Sequence, residues 1–264
     1  MQAQRPLPSV TPEAPGARAL VLAAGRGQRM RPLTDTTPKP LLIVRGKALL
    51  QWWIEAMRRD GVREAVINTG WLGAQIEQQF APQTQSGGSA RQQPHIRFSS
   101  EARDFGHALE TAGGIARALP LLAPAPRDVF WVVAGDIFAP DFRFDPEAAR
   151  RFQASGLLAQ LWLTPNPAHN PAGDFVLGAD GLARNQPARP DEPRLTFSTF
   201  ALYRRALFEP PWCAIAPGNP RGQCLPLAPL LRAAIDAGQV GATLYTGQWV
   251  DVGTPERLAQ LNAD

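Results

Sequence analysis

The chain has 264 residues, 44% hydrophobic and 19% charged, and its 27 basic against 23 acidic residues leave a formal charge of +4. No apolar run approaches the length of about 20 that a membrane span needs, and the scattered bases read as solvated surface, so neither a membrane nor a nucleic acid is an expected partner. Cys213 and Cys224 form no CxxC pair and have no histidine nearby in sequence, which argues against zinc and for a reduced, cytoplasmic setting.

Residues 1–17, rich in proline and without apolar periodicity, are expected to be a flexible extension, followed by a single domain over residues 18–264. Order is predicted to begin with a buried strand at Ala19–Ala23 that runs into Gly25. Leu49, Leu50, Trp53, Ile54 and Met57 share one helical face, with Gly61 where a C-terminal cap belongs. A strand at Ala65–Ile67, a helix over about Gly73–Phe80, a surface loop at Gln83–Pro94 and a strand at Ile96–Phe98 come next. A helix after Thr111, a strongly apolar strand at Val129–Val133, a helix over about Pro146–Ala154 and a strand at Ala159–Leu163 continue the alternation. Phe175–Leu177 and Leu182 flank the turn residues Gly178–Gly181, and Leu195–Tyr203 reads as a long strand. A helix over about Leu227–Ala237, two short strands and a last helix opened by Thr254-Pro255-Glu256 complete the chain. Such alternation predicts an α/β fold of three layers, Rossmann-like, with a mixed but mainly parallel central sheet and ligands at the C-terminal ends of its strands.

Four constellations suggest chemistry. Leu22-Ala23-Ala24-Gly25-Arg26-Gly27-Gln28-Arg29-Met30 puts glycines directly after a buried strand, where bare backbone amides can approach a phosphate. It matches neither the dinucleotide fingerprint, whose third glycine would stand at Met30, nor a Walker A loop. Arg29 and Lys39, the latter between two prolines, would deliver cations to a polyphosphate; a glycine turn with solvated arginines is the plainer alternative. Asp136, after the apolar strand, and Asp251, in Trp249–Thr254, are carboxylates at strand ends suited to Mg²⁺, provided the fold brings them together; helix or turn caps are the alternative. In Glu110–Ile115, Thr111 can cap a helix, and Gly113 and Gly114 would let a flat base lie on backbone or let helix and sheet pack closely.

Taken together, LAAGRGQRMRPLT…PKPLL, the Gly135-Asp136 pair after its strand, ETAGGI and WVDVGTPERL occur in the order seen in sugar-1-phosphate nucleotidylyltransferases, which the chain resembles over about Ala19 to Leu261. Within that family it looks most like the bacterial N-acetylmuramate 1-phosphate uridylyltransferases, on PKPLL, Ile67–Glu77, Asn166–Phe175, Leu195–Ser198 and Leu227–Ala234. The resemblance implies the nucleotide-diphospho-sugar transferase fold, with residues 18–145 mainly binding nucleotide and 146–264 mainly sugar. It also implies transfer of a nucleoside monophosphate from a triphosphate, UTP in the subgroup, to a sugar 1-phosphate with release of pyrophosphate. Arg29 would hold the leaving pyrophosphate, Lys39 the α-phosphate and attacking phosphate, and Asp136 and Asp251 the Mg²⁺. Leu22, Ala23, Ala24, Gly25, Gly27, Gly113 and Asn68 would line the nucleotide, and Glu110, Asp174 and Thr196 would face the sugar. Many relatives carry a Glu-Lys-Pro lysine on the sugar phosphate, where this chain has Asp191-Glu192-Pro193-Arg194; Arg194 or Arg189 would substitute, or Lys39 would act alone. A guanylyltransferase acting on mannose 1-phosphate keeps the chemistry and changes the substrates. A glycosyltransferase would want an Asp-x-Asp that Asp136-Ile137-Phe138 does not supply, and a non-catalytic nucleotide binder has little use for these cations.

Overall fold

The computed structural model describes residues 16–81, 93–125 and 128–263. In chain order the elements are β1 (Arg18–Ala23), α1 (Leu33–Thr36), β2 (Ile43–Val44), β3 (Lys47–Ala48), α2 (Leu49–Asp60), β4 (Glu64–Thr69) and α3 (Gly73–Gln79). Then come β5 (His95–Ser100), α4 (Glu101–Phe105), α5 (Glu110–Leu122), β6 (Val129–Ala134), β7 (Ile137–Phe138), α6 (Pro146–Ser155) and β8 (Ala159–Thr164). The last are β9 (Phe175–Leu177), β10 (Ala183–Arg184), β11 (Arg194–Arg204), α7 (Leu227–Asp236), β12 (Val240–Leu244), β13 (Val250–Asp251) and α8 (Pro255–Ala263).

One 9-stranded sheet runs through both halves of the chain in the order β12-β8-β11-β6-β1-β4-β5, with β9 and β10 joined to the N-terminal end of β11. The β6-β1-β4-β5 block and the β12–β8 pair are parallel, whereas β11 runs antiparallel to β6, β8 and β9. The sheet is therefore mixed, as expected. Successive side chains alternate between its faces and divide the apolar residues into two cores. Leu20, Val66 and Val132 pack under α5 and α7, and Ala19, Val21, Ile67, Trp131 and Val133 pack under α2 and α6.

Helix ends follow local chemistry. Gly61 closes α2 in the left-handed region at φ 84, and the Asp145 carboxylate opens α6 by accepting from the Glu147 amide at 2.9 Å. Thr254 caps α8 by accepting from the Arg257 amide at 3.4 Å, as expected. Thr111 is not a cap: Leu109 precedes the first residue of α5 and no side chain caps that end. The hairpin at Gly178–Gly181 forms, with Ala183 opposite Leu177. The short strands β2, β3 and β7 and the helices α1 and α4 were not foreseen, because elements this short show no periodicity.

Residues 1–15, and 83–92 of the expected loop, lie outside the described residues. The Ala17 carbonyl accepts from the amides of Arg63 and Glu64 at 2.8 and 3.1 Å, and a Cβ on Gly16 would meet Ala149 at 2.6 Å.

Candidate active site

The parallel register aligns Ala23 with Thr69 and Leu22 with Ala134, so β1, β4 and β6 end at one rim. Two connected hollows open there and share Leu22, Gly25 and Asp136. The smaller, about 320 Å³, is lined by Ala23, Gly27, Arg29, Lys39, Pro40 and Gly253. The larger, about 700 Å³, is lined by Ala24, Asn68, Glu101, Glu110, Asp174, Phe175, Phe197 and Thr199, and continues between the sheet and Leu227 and Leu231 of α7.

The glycine loop is built as a cradle. Gly25 faces open space, with no atom within 4 Å of where a Cβ would stand. Gly27 takes φ 63, and its carbonyl accepts from the Thr34 hydroxyl at 2.8 Å. A single turn of 3₁₀-helix over Gln28–Met30 presents Arg29, which has no ion pair among the described residues. A second such turn, Lys39–Leu41, entered from Pro38 and holding Pro40, directs Lys39 inward until it is 8% exposed.

Lys39 ties the distant carboxylates together. Its Nζ donates to Asp136 Oδ2 at 2.6 Å and lies 3.8 Å from Asp251 Oδ1. The two aspartates meet because β7 and β13 pair antiparallel, with Asp251 opposite Ile137 and the Val252 amide donating to the Asp136 carbonyl at 3.0 Å. Asp251 Oδ2 also accepts from Arg257 Nη1 at 2.9 Å and stands 3.4 Å from His169 Nε2. The His169 ring stacks on Trp249, with centroids 6.5 Å apart and planes at 15°. Burial, together with the nearby Arg257 and Arg29 guanidiniums, lowers the His169 pKa and favours the neutral ring despite Asp251.

Several of the expected site residues are already engaged by neighbouring groups of the protein. Asn68 lines the cleft, but its amide is occupied: Oδ1 accepts from the Ala23 amide at 2.6 Å and Nδ2 donates to Glu101 Oε1 at 2.7 Å. It therefore braces β1 against β4. Gly113 is packed against the returning backbone: a Cβ there would meet the Gln223 carbonyl at 2.6 Å and the Leu225 amide at 3.2 Å. Its neighbour Gly114 is blocked by Glu101 Oε1 at 2.5 Å. The Thr196 hydroxyl donates to Asn166 at 2.9 Å and accepts from Asn170 at 3.1 Å, while the alternation of β11 turns Phe197 to the cleft. Asp174 and Glu110 do line the larger hollow; the Asp174 carboxylate is held by the Phe197 amide at 2.9 Å, and Glu110 takes the unusual φ of 61°. Neither candidate substitute for the absent lysine lines the cleft. Arg194 donates to the Asp174 carbonyl at 2.8 Å and to Gln186 at 3.3 Å, and the Arg189 side chain is 75% exposed beside Asp191.

The sequence reading missed Glu101, His169 and Arg257. Glu101 is buried and accepts from Asn68 and from the Leu109 amide at 2.8 Å; burial raises its pKa above the ordinary range. Arg257 had a signal, a base in the first turn of a helix where the macrodipole disfavours it.

The nucleotidyl transferase family's sequence model matches residues 18–264. An N-acetylmuramate alpha-1-phosphate uridylyltransferase of Neisseria meningitidis serogroup B is 42% identical over 251 residues, covering 93% of this chain and 97% of that protein. The protein of the same name from Caulobacter vibrioides is 32% identical over 253 residues, covering 93% and 95%. Among solved structures, a putative glucose-1-phosphate thymidylyltransferase from Bacillus anthracis superposes with a TM-score of 0.71 at 18% identity, over 93% of this chain and 94% of that one, a likeness of fold. With a family match over all but the first residues and relatives aligned nearly end to end, the chain belongs to the nucleotidyl transferase family, among its sugar-1-phosphate nucleotidylyltransferases.

Proposed function

We propose that the protein transfers UMP from UTP to N-acetylmuramic acid 1-phosphate, giving UDP-N-acetylmuramic acid and pyrophosphate, and that it serves peptidoglycan recycling in the cytoplasm. The observation that carries the chemistry is the convergence of Lys39, Asp136 and Asp251 beside a glycine loop at the C-terminal rim of a parallel sheet. The choice of UTP and of the muramyl sugar rests on the relative 42% identical over 93% of the chain.

In this reading a sugar-phosphate oxygen attacks the α-phosphorus in line; the new P–O bond forms as the bond to the β-phosphate oxygen breaks, and its electron pair leaves with pyrophosphate. The attacking phosphate is already an anion, so positioning and charge neutralisation do most of the work. Amides of Leu22 to Gly27 follow the triphosphate, with Gly25 allowing the closest approach. Arg29, unpaired by any ion bridge among the described residues, takes charge on the departing pyrophosphate. Lys39 serves both the α-phosphate and the attacking phosphate, and Asp174 with Glu110 faces the sugar from the larger hollow.

The residues suit Mg²⁺: the expected donors are carboxylate oxygens, both already near one positive charge, Lys39 Nζ, at 2.6 and 3.8 Å. No group of three His, Cys, Asp or Glu side chains converges on a metal position among the described residues, which agrees with an ion held largely by substrate phosphates. Asp136 and Asp251 would hold the ion, which supplies neutralisation of phosphate charge when bound.

The test is pyrophosphate release from UTP, GTP, dTTP and ATP, each paired with N-acetylmuramic acid, mannose, glucose and N-acetylglucosamine 1-phosphates, with Mg²⁺ and with EDTA. The reading expects the highest kcat/KM for UTP with the muramyl sugar and no release in EDTA. A preference for GTP with mannose 1-phosphate replaces it with the guanylyltransferase reading.

A further inference from the structure

The two oxygens of Asp251 have different surroundings. Oδ2 receives the Arg257 guanidinium at 2.9 Å and His169 Nε2 at 3.4 Å, while Oδ1 faces Lys39 Nζ across 3.8 Å. The same Arg257 Nη1 donates to the Asp251 carbonyl at 3.0 Å, so one nitrogen grips both backbone and side chain of this residue. Room for the grip comes from Gly253, where a Cβ would stand 2.9 Å from Asp251 Oδ2 and 3.0 Å from Arg257 Nη1. Arg257 also lies in the first turn of α8, where the helix macrodipole disfavours a cation, so a compensating contact is expected there.

We propose that Arg257 is a positioning residue that occupies Asp251 Oδ2 and so makes this carboxylate offer a single oxygen, Oδ1, to the divalent ion. The proposal rests on the reading of Asp251 as a metal ligand. Its consequence is selectivity: Mg²⁺ accepts one oxygen per carboxylate in tight octahedral geometry, whereas Ca²⁺ readily takes both. With Oδ2 held, Asp251 cannot close around the larger ion as a bidentate ligand, and Ca²⁺ loses relative to Mg²⁺.

The experiment measures affinities of Mg²⁺ and Ca²⁺ for the full chain with UTP present and no acceptor sugar phosphate, by competition against Mn²⁺ followed by electron paramagnetic resonance. The ratio of the two affinities is the readout, because both ions carry the same charge and a general change of field cancels. In Arg257→Met the ratio is expected to shift toward Ca²⁺ by about tenfold, the low end of what outer-shell partners contribute. Gly253→Ala, which keeps the guanidinium but wedges it from Oδ2, should shift the ratio the same way and carries the test if Arg257→Met melts at a much lower temperature. In an Asp251→Asn background neither change should move the ratio further. An unchanged ratio in both single variants, or a shift that persists in the Asp251→Asn background, overturns the proposal. If Asp251→Asn alone leaves both affinities as in the wild type, the metal reading beneath it fails instead.

Discussion

Replacing Lys39 by Met keeps the aliphatic stem and removes the charge between the two aspartates. Lys39 is 8% exposed and its Nζ lies 2.6 Å from Asp136 Oδ2, where an effective dielectric of about 20 gives an attraction of about 6 kcal/mol before desolvation. Most of that is offset by the cost of drying the ammonium. Asp136 is 37% exposed, so water screens the pair further and the net loss is about 1–2 kcal/mol. In a domain of this size that corresponds to a drop in Tm of about 2–8 °C. Asp136 then loses its cation and Asp251 keeps only Arg257 on Oδ2, so millimolar Mg²⁺ should raise the Tm of Lys39→Met while leaving the wild type nearly unchanged. Turnover should fall on the order of 10²–10³, as when one group that stabilises transition-state charge is lost. Thermal denaturation by circular dichroism with Mg²⁺ or EDTA, alongside pyrophosphate release, reads both effects. Wild-type Tm and turnover within tenfold of wild type would refute the role of Lys39, and equal Mg²⁺ stabilisation of both proteins would refute the shared-charge argument.

The remaining expectations concern the rim. Burial raises the Glu101 carboxyl above its ordinary 4.5, so its stabilising contribution is complete below about pH 4.5 and is lost as pH rises through the raised value. Glu101→Gln does not titrate, so its stability relative to wild type should climb with pH from about 4.5 through the raised value and then level off; a difference flat from about pH 4 to about pH 8 would show the burial argument to be wrong. Gly70→Ala would drive a Cβ into the Ala24 carbonyl oxygen, backbone that cannot yield cheaply. It should cost about 1–3 kcal/mol and raise the KM for the nucleoside triphosphate, with unchanged melting and KM as the contrary result.

Much of this protein is legible one segment at a time. The stripe from Leu49 to Met57, the cap at Gly61, the turn at Gly178–Gly181 and the buried strand at Ala19–Ala23 are written in residues that are neighbours along the chain and need no distant partner to declare themselves. The glycine loop and its cations are equally local, and so could be named as candidates. What a side chain touches was decided elsewhere. Asp136 and Asp251 meet through β7 and β13, strands of two residues each, too short to carry a pattern. Thr196 turned away because the phase of β11 favoured Phe197, and Gly113 went to the 223–225 backbone because that segment returns across α5. Asn68 was expected to line the nucleotide, but its partners, Ala23 and Glu101, lie on other elements. Periodicity and turn chemistry act over a few residues, so they determine elements, whereas register, bulges and crossings set which distant groups share charge, and only the packed sheet resolves them.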